Sequence, residues 1–268
     1  MAEAETLQNW EQAEVARSRS EAAHTRIESL RLSEANLRRY MNPPADTPFP
    51  TEYVFHLLGD VSGKVVLDLG CGNGENSILL AFRRPNLVGI DVSESLLCLA
   101  RRRFALNGVA GPAIFVASSA HDLALPDESV DVVVGIAILH HLDLKLAARE
   151  VNRILKPGGR AIFQEPVRES RALRFIRGLI PYRTPDVSPF ERPLTEAELR
   201  MFARGLRACH GRAFSLPFVN VVAIVPFLAK WLPLAYRLDN AILKRAPFLR
   251  RYASTRVIEL QKPVTKPD

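Results

Sequence analysis

Between residues 68 and 74 the chain reads Asp68-Leu69-Gly70-Cys71-Gly72-Asn73-Gly74. Glycine at every second position lets the backbone approach a ligand closely, because no Cβ intervenes and positive φ is open to it. Gly70 and Gly72 match the first two glycines of a dinucleotide fingerprint, but Glu75 stands where the third belongs. A carboxylate just behind the turn repels a pyrophosphate. Together with Asp68 it suits a ligand that carries positive charge. Asp91, 17 residues beyond Gly74, is placed to accept hydrogen bonds from a ribose diol, as in nucleotide-binding folds generally. Further on, His140 and His141 are adjacent and Glu165 directly precedes Pro166. A metal site is not expected from these three, since neighbouring histidines diverge and no HxxxH pair or second carboxylate accompanies them.

Strands and helices have to bring these groups together. A buried strand over 65–69 leads into the glycine turn and then a helix reaching Leu80; a second strand over 87–91 is followed by a helix over about 93–107. Further strands are read at 113–116, 130–138 and 160–163, the last after a helix that stops at Pro157-Gly158-Gly159. Strand and helix in alternation imply a parallel, doubly wound α/β sheet. In such a sheet ligands lie outside the carboxyl ends of the strands, where Asp68, Asp91, His140, His141 and Glu165 all fall. Residues 1–50 read as an N-terminal helical cap, with Leu7, Trp10, Val15, Ile27, Leu30 and Leu37 at roughly helical spacing before two proline clusters break the pattern. Residues 51–166 form the ligand-binding core. In 167–268 the rhythm is lost: helices are expected at 170–180 and 195–209, an apolar stretch at 214–229 is interrupted by Pro217, Asn220 and Pro226, and 256–260 reads as an edge or near-edge strand.

Composition sets limits on the class. The chain has 268 residues, 47% hydrophobic and 24% charged, which fits one ordinary soluble domain with extensions and excludes a fibrous or disordered chain. An acidic start, no long apolar run and three cysteines without a CxxC pair lead to the expectation of a cytoplasmic protein. Charge is uneven. Residues 1–159 hold 16 Lys and Arg against 20 Asp and Glu, whereas 160–268 hold 20 against 9. A basic half of this kind attracts nucleic acid, an anionic lipid surface or an acidic small molecule. Lys230, Arg237, Lys244, Arg245, Arg250 and Arg251, interleaved with Trp231, Tyr236 and Phe248, have the composition for peripheral contact with a membrane.

The glycine turn and Asp91 are joined by Leu123-Ala124-Leu125-Pro126-Asp127-Glu128-Ser129-Val130-Asp131, by Leu139-His140-His141-Leu142 and by Leu155-Lys156-Pro157-Gly158-Gly159. In combination, residues 64–166 resemble the class I S-adenosylmethionine-dependent methyltransferases of the small-molecule branch, of the type 11 kind. The resemblance implies a seven-stranded Rossmann-like sheet, S-adenosylmethionine as methyl donor, S-adenosylhomocysteine as product and no metal. By the same resemblance Gly70, Cys71, Gly72 and Gly74 would cradle the methionine and ribose, Asp68 would lie near the ammonium, Asp91 would take both ribose hydroxyls and Val92 would pack on adenine. Ser119, with Ala120 and His121 beside it, falls where the family commonly has an acidic residue for the adenine amino group. Ile136 and Ala137 would line the methionine tail.

Methyl transfer needs alignment and exclusion of water, and a base only where the acceptor must lose a proton. His140 or His141, with Glu165, is the candidate for that base. The acceptor pocket is expected from the irregular segments, with Tyr40, Phe175, Tyr182 and Arg183 as substrate residues and a small, lipophilic molecule methylated at oxygen as substrate. Three alternatives stand: a nucleic-acid (tRNA) methyltransferase, a nicotinamide oxidoreductase, which Glu75 opposes, and a non-catalytic S-adenosylmethionine-binding module. Nucleic acid as a partner is disfavoured, because the Asn42-Pro43-Pro44 run lies far from strand four and is followed by alanine, not an aromatic residue.

Overall fold

The computed structural model describes residues 2–109, 111–167 and 193–264. The strands are Val65–Leu69 (β1), Asn86–Asp91 (β2), Ala113–Ala117 (β3), Val130–Ile136 (β4), Leu155–Pro166 (β5), Arg207–Phe214 (β6) and Thr255–Gln261 (β7). They form one sheet in the order β3-β2-β1-β4-β5-β7-β6. The first five are parallel, and β7 runs antiparallel between β5 and β6. The order reverses beside β1, so the carboxyl ends of β1, β2 and β4 border one crevice.

Period-two alternation divides the strand side chains between two cores. Leu67, Leu69, Val133, Ala161 and Phe163 face one side and pack with Val151 and Ile154 of helix Leu144–Ile154 (α6) and Phe202 of helix Glu196–Phe202 (α7). Val66, Val132, Val134, Ile162 and Val257 face the other and pack with Val54, Phe55 and Leu58 of Pro50–Leu58 (α3) and Ile78 and Leu80 of Glu75–Ala81 (α4). Burying one such aliphatic or aromatic side chain contributes about 1.5–3 kcal/mol. The helices start where side chains can satisfy free amides. Ser93 accepts from Leu96 N at the head of Glu94–Leu106 (α5), Asp143 from Lys145 N and Leu146 N, and Thr195 and Glu198 form a reciprocal capping box.

The N-terminal segment carries Ala2–His24 (α1) and Glu34–Met41 (α2). It is tied to α5 and the glycine turn through Arg103, buried, which donates to Asn73 O, Asn73 Oδ1 and Ser29 O, while Asn107 Nδ2 donates to Leu30 O. Between β6 and β7 lies a helical lobe with Pro217–Ile224 (α8), Leu232–Arg245 (α9) and two 3-10 turns, Pro226–Trp231 and Pro247–Tyr252.

Four sequence expectations differ from this arrangement or fall outside it. The helix expected over 195–209 ends at Phe202, and β6 starts at Arg207. That strand is an edge whose first six residues are not buried, so it has no apolar alternation to read. The helix expected to stop at Pro157-Gly158-Gly159 ends at Ile154, and those three residues belong to β5, where Gly158 N donates to Lys262 O. Strand β4 ends at Ile136, not at residue 138, because Ala137 takes φ 57°. The helix expected over 170–180 lies outside the described residues.

Candidate active site

At the end of β1 the chain turns sharply under hydrogen bonds from Gly70 N and Cys71 N to Ile90 O at 2.8 and 3.0 Å. Two glycines are needed for different reasons. A Cβ on Gly70 would sit 2.5 Å from Ile138 Cδ1, so this residue permits close packing of the turn on the segment after β4. A Cβ on Gly72 would meet nothing within 4 Å, at φ 51°; here the missing side chain leaves open space beside a cavity. Gly72 N donates to Asp91 Oδ2 at 2.9 Å and Ser93 N to Asp91 Oδ1 at 2.9 Å. The Asp91 carboxylate is thereby fixed at the end of β2. Its pKa is raised above the ordinary carboxylate value by burial, against the lowering effect of these amides, with Glu14 adding to the rise.

The cavity encloses about 210 Å3 and is lined by Gly70, Gly72, Asp91, Val92, Ser119, Ala120, His121, Ala137, Ile138 and His141 from the sheet side. Its other wall is α1, which contributes Trp10, Glu11, Glu14, Arg17, Ser18 and Glu21. Four of its lining residues are carboxylates, Glu11, Glu14, Glu21 and Asp91, against one arginine. Glu11 Oε1 accepts from Ser119 Oγ at 2.5 Å and lies 3.2 Å from His121 Nδ1. Because His121 Nε2 accepts from Asp143 N at 2.9 Å, the neutral imidazole carries its proton on Nδ1 and donates it to Glu11. Trp10 stands edge-on to the same ring at 5.5 Å. Glu14 is paired with Arg17 at 2.7 Å. Burial acts to raise its pKa, but His141 and Arg17 outweigh burial and hold it below the ordinary value.

The three proton-handling candidates separate by position. Glu165 is 1% exposed. Its Oε1 accepts from Ile138 N and Leu139 N at 2.9 and 2.8 Å, and its Oε2 faces His140 Nδ1 at 2.9 Å. It is a structural acceptor that shapes the turn after β4 and holds His140, which corrects the expectation of Glu165 as a base open to an acceptor. The His140 and His141 rings lie 4.1 Å apart. Only His141 of the two lines the cavity. Its Nδ1 is buried, has no hydrogen-bond partner and is 3.6 Å from Glu14 Oε1, too far for a hydrogen bond.

Other sequence candidates are elsewhere. Asp68 is 2% exposed, lies under the turn and accepts from Ser77 Oγ at 2.5 Å; it is not in the cavity wall, nor is Glu75. Burial raises its pKa to about 6. Cys71 is buried, its thiol pushed far up by burial and by Asp68, and its Sγ points toward Gly89. Gly74 packs on Ala100. Ile136 joins the core on the α3 face. Tyr40, expected at the substrate, packs against Phe55 at 5.1 Å in that same core, away from the cavity. Phe175, Tyr182 and Arg183 lie outside the described residues. Sequence reasoning expected the N-terminal helices to help build the acceptor pocket but named none of the α1 residues that form this second wall. The signal was present: Glu11, Glu14, Ser18 and Glu21 are spaced by three or four and so share one helix face, but that face is polar because it meets a cavity. Among the described residues no group of three or more His, Cys, Asp or Glu is arranged to hold a metal.

Comparison with known proteins agrees with this geometry. The family model described as a methyltransferase domain matches residues 67–163. The chain is 35% identical over 144 residues to a ubiquinone biosynthesis O-methyltransferase of Pseudomonas syringae pv. tomato, covering 50% of this chain and 61% of that protein. It is 31% identical over 150 residues to a fatty-acid O-methyltransferase of Mycolicibacterium smegmatis, covering 54% of this chain and 47% of that protein. The chain therefore spans about half to three fifths of the length of these curated relatives. Among solved structures, a putative sarcosine dimethylglycine methyltransferase from Galdieria sulphuraria aligns with a TM-score of 0.58 at 18% identity, covering 86% of this chain and 87% of that one. At that identity the likeness concerns the fold.

Proposed function

We propose that the protein, whose residues 67–163 match the methyltransferase domain family, is a class I, S-adenosylmethionine-dependent enzyme that transfers a methyl group to an oxygen of a small, lipophilic molecule. The observation that carries the reading is the acidic cavity beside the glycine turn. Glu11, Glu14, Glu21 and Asp91 surround the space left open at Gly72. Such a lining disfavours a diphosphate and favours a ligand bearing a sulfonium and an ammonium group. S-adenosylmethionine is such a ligand and supplies, when bound, an electrophilic methyl group.

In this reading Asp91, already fixed by Gly72 N and Ser93 N, accepts the two ribose hydroxyls. The backbone at Gly70, Gly72 and Ala137 borders the amino-acid tail, Val92 packs on the base, and Ser119, Ala120 and His121 border its edge. Glu11 supplies a carboxylate beside Ser119, where the matching position itself has only a hydroxyl. His141 takes the proton of the acceptor hydroxyl, and Glu14 Oε1, 3.6 Å from its Nδ1, stabilises the imidazolium that forms. His140, gripped by Glu165, stacks behind it and sets its orientation. Helix α1 excludes water from the same space. The fit requires α1 to give way, since ligand pockets are commonly about 300–1,000 Å3 and this one is smaller.

The named relatives are, by their descriptions, an O-methyltransferase of ubiquinone biosynthesis and a fatty-acid O-methyltransferase; these direct the choice of acceptor toward lipophilic phenols and carboxylates. Among the described residues no basic residue of the second half lines this cavity, which supports a small-molecule acceptor over nucleic acid. The three thiols, all free, suit a cytoplasmic site of action. Incubation with S-adenosylmethionine labelled at the methyl group, against long-chain fatty acids, polyprenyl phenols and transfer RNA, tests the proposal. Label recovered in a lipophilic ether or ester is expected; label in RNA alone would overturn it.

A further inference from the structure

Large apolar side chains are exposed on one lobe of the molecule. Between β6 and β7, Phe227 is 75%, Ile224 70%, Phe248 69% and Trp231 53% exposed, and Val221, Leu234, Leu238 and Ile242 are exposed beside them. Leu234, Leu238 and Ile242 fall four residues apart on α9 and so share one face. Single exposed apolar residues are ordinary, whereas eight in one stretch of some twenty-eight residues are not.

This lobe is rigidly held. Ser215 N and Leu216 N donate to the Asp239 carboxylate at 2.9 and 2.8 Å. Leu216, Val219, Ala235 and Leu243 are buried on its inner side, and Arg212 Nη2 donates to Asn240 Oδ1 at 2.6 Å. The exposed residues are therefore the outer face of an ordered element.

The exposed charge of this segment is basic, Lys244 being paired with Asp46 at 3.4 Å. From 216 to 254 the chain has six basic residues, Lys230, Arg237, Lys244, Arg245, Arg250 and Arg251, all exposed, and one acid, Asp239, which is 1% exposed. The ammonium of Lys230 lies 5.8 Å from the Trp231 ring and the guanidinium of Arg251 4.9 Å from the Tyr252 ring. Aliphatic and aromatic groups ringed by lysine and arginine match the two layers of an anionic membrane surface, acyl chains beneath phosphate headgroups. No helix of the described residues is long and apolar enough to cross a membrane, and prolines open α8, α9 and both 3-10 turns.

We propose that the 217–252 lobe docks the protein on an anionic lipid bilayer, with Ile224, Phe227, Trp231 and Phe248 entering the acyl region and Lys230, Arg237, Arg245, Arg250 and Arg251 meeting the headgroups. The topology gives the docking a purpose. Phe214, which ends β6, and Pro166, which ends β5, both pair with Thr255 at the start of β7. The lobe consequently emerges at the carboxyl end of the parallel strands, the end that holds Gly72, Asp91 and His141. Docking would turn that end of the sheet toward a bilayer in which a lipophilic acceptor dissolves, which extends the lipophilic reading above; the docking itself does not depend on that reading.

Two tryptophans make the test direct: Trp231 is exposed and Trp10 buried. The intact protein is mixed with vesicles of phosphatidylcholine, with or without a quarter of phosphatidylglycerol, and flotation and tryptophan emission are read. Expected is co-flotation with the anionic vesicles, weakened by salt, with a blue shift and quenching by brominated acyl chains that disappear in W231F. R250Q with R251Q should weaken binding about 25-fold, at about fivefold per cation, and F227S with W231S should abolish it. Folding of every variant is checked by its circular dichroism spectrum and melting temperature. Folded protein that stays with neither vesicle, or that binds both equally and independently of these residues, overturns the proposal. A dimer in sedimentation equilibrium that W231S separates would assign the face to a second copy and overturn it as well.

Discussion

Replacing Asp91 by alanine removes a carboxylate that serves two purposes, and the structure separates their magnitudes. Toward a ligand, charge-assisted hydrogen bonds to ribose are worth about 1.5–3 kcal/mol, so the affinity for S-adenosylhomocysteine should fall roughly 10- to 150-fold. Toward the fold, Gly72 N and Ser93 N each lose the acceptor they now have at 2.9 Å. An amide left without a partner costs about 1–3 kcal/mol if it stays buried and little if water reaches it, and Gly72 borders the cavity. A loss of about 1–3 kcal/mol is expected, or several degrees in melting temperature. Asp91→Asn keeps one acceptor oxygen, so its stability should lie between wild type and alanine while its ligand loss stays near that of alanine. Titration calorimetry with S-adenosylhomocysteine and with its 2′,3′-dideoxy analogue isolates the ligand part. The analogue should bind wild type about as weakly as the natural compound binds Asp91→Ala, and the two losses should not add. Unchanged affinity in Asp91→Ala, or full additivity, would refute the ribose assignment.

Three further outcomes are expected. His141→Ala should keep its affinity for S-adenosylhomocysteine within about threefold and lose about 10²–10⁴ in turnover, whereas Glu165→Ala should primarily lower the melting temperature, since Ile138 N and Leu139 N lose their acceptor; equal turnover in wild type and His141→Ala would remove the base assignment. Asp68, raised by burial to about 6 from about 3.9 when unfolded, has its protonated form favoured by folding, so the stability linked to that proton is complete below about pH 4 and is lost as pH rises through 6, up to about 3 kcal/mol. Asp68→Asn should therefore match wild type at pH 4 and exceed it at pH 7.5 in denaturant melts of the ligand-free protein; parallel pH profiles would contradict this. Amides of residues 10–21 should gain protection from deuterium exchange when S-adenosylhomocysteine binds, because α1 is the second wall of the cavity; protection confined to the glycine turn would show that α1 is not part of the site.

The central α/β pattern was legible because both the sheet and its crossovers obey local periodicities. Strands buried on both faces read as apolar runs such as Val65 to Leu69, and the glycine turn and Asp91 are separated by one helix and one strand of standard length. The sequence also indicated a ligand of positive charge, although it assigned the matching carboxylates to Asp68 and Glu75, which flank the turn in the chain, and not to Glu11, Glu14 and Glu21, which come from α1. It marked His140, His141 and Glu165 as a group, and it flagged the basic, aromatic stretch near residue 231.

Only the tertiary structure decided which member of each group faces what. Glu165 and His141 are both polar residues at strand ends, yet one is enclosed by amides of the following turn and the other borders the cavity. Tyr40 could as well have met a substrate as a phenylalanine, and packing against Phe55 settled it. The spacing of Glu11, Glu14, Ser18 and Glu21 puts them on one face of α1 but not against any particular partner; what that face covers follows from Arg103 and Asn107 anchoring the segment behind it onto α5. Periodicity reports which residues leave water, and that is a property of neighbours in sequence. Which polar groups then share one enclosed space depends on distances across the fold, such as the 108 residues between Glu11 and Ser119, and no local pattern encodes them.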